Sequence, residues 1–238
     1  MVNFWVGFAL LVAVIASLSH CGSTVTGSPF SSHISFGSFS SERGSGVARS
    51  ESRSIGEFQS IHVEGMGTLE VQVNSGQSGR SLEITADDNL LSFITTKVSD
   101  GVLEVSSSAS FSPNSDLRVK VSVPALAGIH LEGANRLNLT IDSPADFALH
   151  IEGAGRVKAA GKVGRLSLHS EGAGSIDAAE LVAGAVDVHI EGAGKAKVNA
   201  TESLKAQIEG AGVITYLGEP KTVEKNIEGI GRISKAGA

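Results

Sequence analysis

Histidine and glutamate recur together along this sequence, two residues apart. Five of the seven histidines precede a glutamate in this way, at His62–Glu64, His130–Glu132, His150–Glu152, His169–Glu171 and His189–Glu191. Imidazole and carboxylate groups are ligands that zinc and related ions accept, and histidine changes its charge in mildly acidic solution. One hypothesis is therefore a metal-binding or pH-sensing array, whose candidate ligands are His130, Glu132, His150, Glu152, His169, Glu171, His189 and Glu191.

A second hypothesis gives the same residues no ligand. Alternating base and acid on a solvated face would offset the repulsion between like charges on neighbouring strands. Four cations, Arg136, Arg156, Lys195 and Arg232, follow their glutamates by four residues, and we expect them to help neutralise the glutamate column.

The elements that must position these residues are indicated by a repeat. Successive glutamates from Glu132 to Glu228 are separated by 20, 19, 20, 18 and 19 residues, and a fixed period of this length is typical of solenoids. The residues one, three and five places before each glutamate are mostly apolar, which is the pattern of a strand with one buried face. These columns are Leu131, Ile151, Ser170, Ile190, Ile208 and Ile227; Ile129, Leu149, Leu168, Val188, Ala206 and Lys225; and Ala127, Phe147, Leu166, Val186, Leu204 and Val223.

A glycine-rich corner follows each of these strands. Gly153-Ala154-Gly155 is one example, and the buried face resumes five residues after the glutamate, as at Val157. A repeat of about 19 residues buries its apolar face only by stacking on its neighbours. The sequence therefore predicts an all-β fold, a single-domain parallel β-helix (β-solenoid) over residues 55–238, in which Lys225 and Lys235 provide a polar cap on the last rung.

The first 54 residues have a different composition. Residues 1–21 combine an apolar run with small residues and predict a signal peptide or lipoprotein leader. Leu18-Ser19-His20-Cys21 resembles a bacterial lipobox, which makes Cys21 a lipidation candidate; simple cleavage and a short uncleaved anchor are the alternatives. Residues 22–54 are rich in serine and glycine and predict a flexible linker.

Between residues 54 and 123 the strand pattern is less regular. Asp100-Gly101 lies between two apolar runs and predicts a hairpin. The stretch from Ala86 to Leu91 predicts one helical turn.

Composition and motifs exclude several classes of function. The net charge is −6 without a long basic run, so nucleic acid is not an expected partner. A single cysteine excludes an internal disulfide framework. Repeats that differ by two residues in length leave no long loops to wall a catalytic groove, and we predict no enzyme, no catalytic residues and no cofactor.

The residues described above resemble the bacterial GIN-domain family, the head domains of autotransporter adhesins. The resemblance spans residues 55–234 and rests on three features: Ile61-His62-Val63-Glu64-Gly65-Met66-Gly67, Ala86-Asp87-Asp88-Asn89-Leu90-Leu91 followed by Gly101-Val102-Leu103-Glu104-Val105, and the serial Gly-Ala-Gly corners. It implies a β-solenoid in an exported or surface-tethered protein, and it supplies no catalytic residue.

These observations lead to a functional hypothesis. We expect an exported β-solenoid of the bacterial periplasm, outer membrane or cell surface that binds an envelope polymer, a glycan or a surface protein as an adhesin does. A lipid on Cys21 would attach it to a membrane. The alternatives are a structural or stress-related protein-interaction module of the envelope, and a carbohydrate-active β-helix enzyme.

Overall fold

The computed structural model describes residues 41–237. Within that range the secondary structure is almost entirely β, and the one short 3₁₀ helix is Leu91–Phe93. The strands are β1 Glu42–Arg43, β2 Ala48–Arg53, β3 Ser60–Asn74, β4 Ser81–Asp87, β5 Ile94–Ser99, β6 Val102–Ser107, β7 Phe111–Ser112, β8 Arg118–Val123, β9 Gly128–Asp142, β10 Phe147–Gly153, β11 Arg156–Gly172, β12 Ser175–Gly192, β13 Lys195–Leu217 and β14 Thr222–Lys235.

The strands from β9 to β14 stack in parallel, one repeat on the next. His130 pairs with His150, His150 with His169, and His169 with His189. β3 joins this stack through β9, where His62 pairs with His130. We call each stacked repeat a rung. Equivalent residues of neighbouring rungs therefore lie side by side, and every residue type that recurs with the period becomes a column.

The predicted apolar columns form the core. Ile151 and Ile190 are at most 1% exposed, and the column after the corner is also buried, from Leu137 to Ile233. Ala127 was predicted to be buried and is exposed, because its neighbours Leu126 and Gly128 face the interior instead. In the last rung Val223 and Ile227 are 37% and 41% exposed, since β14 is the end of the strand order in the described residues.

The part of the sheet before residue 124 is not a regular stack. β2 pairs antiparallel with β4, and β4 pairs antiparallel with β8. β8 then pairs parallel with β3. The prediction of an all-β fold is confirmed, but a parallel β-helix over residues 55–238 is not, because the sheet is mixed.

Residues 42–53 correct the predicted linker. They form β1 and β2, although composition placed them in a flexible segment. β2 lies at the edge of the sheet and is largely exposed, so it has no apolar period. Its order comes from backbone pairing with β4, which composition does not report.

Asp87 fixes the start of this segment. Its carboxylate accepts hydrogen bonds from the backbone N–H groups of Gly46 and Asn114, each at 2.8 Å, and from the N–H and hydroxyl of Ser115. Burial would raise the pKa of Asp87, and the hydrogen bonds from Ser115, Asn114 and Gly46 together bring that pKa below its ordinary value. The carboxylate thus joins three separate stretches of chain.

Other local predictions have mixed outcomes. The hairpin at Asp100-Gly101 is confirmed: it joins β5 to β6, with φ values of 52° and 78°. The helical turn predicted at residues 86–91 is only partly correct, because Ala86 and Asp87 end β4, residues 88–90 form a turn, and the 3₁₀ helix begins at Leu91. Residues 1–21, Cys21 and most of the linker range lie outside the described residues. Within residues 41–237, no helix has the length and apolar character needed to span a membrane.

Candidate functional site

The His–Glu pairs lie on the outer surface of the stack, on the strands that lead into the corner. Alternation along each strand buries Ile151 and turns His150 and Glu152 outward. The parallel register then aligns the histidines of five rungs in one column, and the glutamates in another beside it. Neighbouring imidazole rings are 4.6–4.8 Å apart and alternate between stacked and edge-on arrangements.

The two columns converge into one chain of contacts, which we call the His–Glu ladder. Each histidine Nε2 lies near the Oε1 of a glutamate, and each inner glutamate lies between two histidines. Along the ladder the Nε2–Oε1 distances are 2.8 Å for His62–Glu132, 3.7 for His130–Glu132, 3.2 for His130–Glu152, 3.0 for His150–Glu152, 3.8 for His150–Glu171, 3.0 for His169–Glu171, 3.7 for His169–Glu191, 3.6 for His189–Glu191 and 3.2 for His189–Glu209.

This arrangement leaves polar atoms short of partners. A neutral imidazole with hydrogen on Nε2 donates one hydrogen bond there, but four of the five histidines face two carboxylates at this atom. His189 Nε2 is the extreme case. Among the buried side-chain nitrogen and oxygen atoms of residues 41–237, it is the one without a hydrogen-bond partner. Glu209 Oε1 is 3.2 Å away, but without the orientation of a hydrogen bond.

His130 has an altered pKa for reasons visible in the ladder. Burial is the largest influence and lowers the pKa of its imidazole, and the neighbouring His150 and His62 lower it further. Glu152 and Glu132 act in the opposite direction, without reversing the shift. The structure therefore favours the neutral imidazole, which is the form that binds metal ions.

Structure corrects the predicted role of the four cations. No salt bridge within residues 41–237 joins Arg136, Arg156, Lys195 or Arg232 to a ladder glutamate, because the chain turns at the corner between them. These residues lie on the next face of the stack. Two lysines, each two residues further along a strand, share that face. We call the exposed residues Arg136, Arg156, Lys158, Lys195, Lys197 and Arg232 the basic face.

The corners themselves form a shallow groove beside the basic face. A cavity of about 820 Å³ follows them from Met66 to Lys195, and a second of about 420 Å³ continues to Arg232. Alanine and glycine make its floor. Gly153 shows why glycine is needed, because its φ is 104° and an added Cβ would lie 2.6 Å from the carbonyl oxygen of Gly133.

A third cavity, of about 680 Å³, opens near the first rung. It is lined largely by apolar residues of β3, β6 and the segment around β7, including Val63, Leu69, Val105, Phe111 and Leu117. It differs in chemistry from the ladder, because hydroxyl groups, those of Thr68 and of serines between Ser106 and Ser110, provide most of its polar side chains.

Comparison with known families identifies the chain once this geometry is seen. The family model described as "putative auto-transporter adhesin, head GIN domain" matches residues 57–220. The chain belongs to this GIN-domain family. The match covers β3 to the end of β13 and thus includes the whole His–Glu ladder.

Solved structures of similar proteins include three from Bacteroides and Parabacteroides species. A protein of Bacteroides fragilis described as a putative adhesin is 26% identical, with a TM-score of 0.59, and the alignment covers 81% of this chain and 99% of that one. Two proteins of Parabacteroides distasonis share the fold, each with a TM-score of 0.53. Each alignment covers 83% of this chain and 100% of the other protein's chain. One is described as a putative lipid binding protein and is 20% identical; the other is described as a putative adhesin and is 21% identical. No curated protein is significantly similar to the chain.

The residues that the sequence singled out are mostly brought together. All eight candidate ligands from His130 to Glu191 lie in the ladder, and His62 and Glu209 extend it at either end. The basic face was missed, because the cations were counted as neighbours of the glutamates. The signal was present in the sequence: residues that follow a glycine corner belong to a new strand and a new face.

Proposed function

We propose that this GIN-domain protein is an exported, non-enzymatic binding module of the cell envelope or surface, which holds an extended acidic polymer or glycan along its corner groove and basic face. The observation that carries the proposal is a column of four cations on one face of the stack, Arg136, Arg156, Lys195 and Arg232, in which Ser175 and Val213 occupy the two intervening rungs. Arg136 pairs directly with Arg156, and Lys195 lies two rungs further on through Ser175. The adhesin description of the family supports a role at the surface.

The stack suits a polymer better than a small ligand. In this proposal the rungs β9–β14 act as a solenoid-like scaffold, which turns the period of the sequence into a repeat of about 4.8 Å in space. The six cations of the basic face are exposed, and none of them forms a salt bridge within residues 41–237. Carboxylate, sulfate or phosphate groups spaced along a chain would meet cations one or two rungs apart, while the small corner residues let the chain approach closely.

The test compares two variants with equal loss of charge. Arg136→Gln/Arg156→Gln/Lys195→Gln removes cations from the basic face; Arg165→Gln/Lys205→Gln/Lys221→Gln removes three exposed cations from other surfaces. On an array of uronate, sulfated and neutral glycans, we expect binding to acidic glycans alone. The affinity of the first variant should fall by at least about tenfold. The second variant should bind as the unmodified protein does. Equal losses in both variants, or preference for neutral glycans, would contradict the proposal.

A second candidate function, a protein-interaction module, is favoured by the open edge at β14. Val223, Ile227 and Ile230 are exposed there, Ile230 to 85%, and no strand within residues 41–237 pairs with the outer side of β14. Exposed apolar edge strands are sites where another chain can pair. If envelope extract yields a protein partner whose capture is abolished by Ile230→Lys, while acidic glycans do not bind, this second function replaces the first.

Catalysis is tested on the same material. Because we propose no reaction, acidic glycans recovered after prolonged incubation with the protein should keep their length. Shortened products that depend on an intact basic face would establish the enzymatic alternative.

A further inference from the structure

We propose that the His–Glu ladder binds divalent metal ions of the zinc class, two per chain, each held by two imidazole nitrogens and one carboxylate oxygen. The ligand sets are visible in the geometry. Four overlapping groups have ligand atoms within 4.8 Å of one another: His62, His130 and Glu132; His130, His150 and Glu152; His150, His169 and Glu171; and His169, His189 and Glu191.

The donor chemistry fits zinc. Two imidazoles and one carboxylate are a common set of protein ligands for this ion, with a fourth position left for water. In a tetrahedral site with bonds of about 2.0–2.1 Å, neighbouring donors are about 3.3 Å apart. The Nε2–Oε1 distances of the ladder run from 2.8 to 3.8 Å, so small side-chain rotations would bring the donors to that spacing.

The ladder also lacks the cations that would otherwise neutralise it. Glutamates on successive rungs are direct neighbours in the register, and like charges in that position repel. The basic face points elsewhere. Within the described residues, no lysine or arginine nitrogen lies within 4.0 Å of a ladder carboxylate, and a neutral imidazole carries no charge. A metal ion between Nε2 and Oε1 would satisfy both columns.

His189 supplies an independent observation. Its Nε2 is buried and has no hydrogen-bond partner among residues 41–237, although it belongs to the group formed with His169 and Glu191. An orphaned buried nitrogen is costly in a protein that has nothing to bind there. As a ligand, the same atom donates its lone pair to the ion.

The number of ions follows from sharing. Adjacent groups share one histidine, and each Nε2 coordinates one ion, so five histidines supply two ions at most. Two groups that share no histidine can fill together: the first and third, the second and fourth, or the first and fourth. This constraint gives each histidine a distinct effect when it is removed.

Glutamine is the substitution that tests this limit on the number of ions, because Gln207 already occupies the histidine column one rung beyond His189. Without His150, the pairs His62–His130 and His169–His189 remain, so His150→Gln should still bind two ions. Without His130 or His169, one end histidine loses its neighbour, and the remaining three adjacent histidines can supply only one pair at a time. Each of these variants should therefore bind one ion. His20→Gln/His33→Gln, outside the ladder, is the control and should bind two.

The experiment is isothermal titration calorimetry of the full chain with zinc chloride, after removal of metal with a chelator, with thermal unfolding as a second readout. The expected stoichiometries are two for the unmodified protein, two for His150→Gln, and one for His130→Gln and His169→Gln, with a zinc-dependent rise in Tm that follows the stoichiometry. Absence of saturable zinc binding would overturn the proposal, as would a stoichiometry that is the same in His130→Gln as in the unmodified protein. Circular dichroism of the metal-free variants shows whether each retains the fold.

Discussion

The two faces on either side of the glycine corner are built from the same rungs but hold their charges differently. On the His–Glu ladder, acids and imidazoles contact one another along a continuous chain of 2.8–3.8 Å distances. On the basic face, Arg136, Arg156 and Lys195 lie in one column, and none forms a salt bridge within residues 41–237. The comparison teaches that one repeat can build a surface that is internally paired and, one turn of chain later, a surface whose charges are available to a partner.

Both faces depend on the buried columns beneath them, which gives the largest expected effect. Ile190→Ala should lower the free energy of unfolding by about 2–5 kcal/mol, because it leaves a cavity in a fully buried site. Ile227 occupies the same column on the last rung but is 41% exposed, so Ile227→Ala should cost less than about 1 kcal/mol. Chemical denaturation of the two variants measures the difference, and equal costs would show that the rungs are not stacked in this register.

The corner between the faces can be broken by adding one methyl group. Gly153→Ala should destabilise the protein by more than Gly65→Ala, because only the former brings a Cβ within 2.6 Å of a neighbouring carbonyl oxygen. Both residues have positive φ values, 104° and 114°, and share a backbone strain of about 1–3 kcal/mol. The difference between their melting temperatures measures the contribution of close packing at the corner. A larger fall in melting temperature for Gly65→Ala would contradict this packing.

Acid should destabilise the N-terminal strands β1 and β2 through Asp87, which lies on neither of the two faces. The folded pKa of Asp87 lies below its ordinary value of 3.8, so its stabilising contribution is present above that pH and is lost as the pH falls through the lower folded value. Asp87→Asn should mimic this loss at neutral pH and increase hydrogen exchange in residues 48–53. Asp142→Asn, at an exposed aspartate far from this segment in the sheet, is the control. Glycan binding should persist in both variants, and its loss in Asp87→Asn would show that the basic face depends on these strands.

The smallest expected effect compares one charge on each face of the same repeat. Glu152→Gln weakens contacts to His130 and His150 and should cost about 0.5–1.5 kcal/mol in metal-free buffer. Arg156→Gln removes a charge that has a like-charged neighbour and no partner, and should leave stability unchanged or raise it slightly at low salt. A larger loss for Arg156→Gln would reverse the comparison between the faces.

Much of this arrangement was predictable from periodicity. The separations of Glu132 to Glu228 and the apolar columns predicted stacked strands with aligned histidines, because a repeated residue in a parallel register must form a column. Two features were not predictable in the same way. The cations after the corner were assigned to the glutamate face, since counting along a sequence does not show where the chain turns. β2 was assigned to a linker, because an exposed edge strand held by backbone pairing and by Asp87 leaves no apolar pattern.

The proposed function depends on one claim, that cations on several rungs of the stack act together on an extended partner. The most direct measurement is the affinity of galacturonate oligomers of increasing length, in the presence of a chelator. From Arg136 to Arg232 the column includes six rungs, which are separated by five steps of about 4.8 Å, or about 24 Å in total. We predict that affinity rises with length until an oligomer spans this distance and then reaches a plateau, and that the rise is lost in Arg136→Gln/Arg156→Gln/Lys195→Gln. Monogalacturonate that binds as tightly as the longest oligomer would contradict the account.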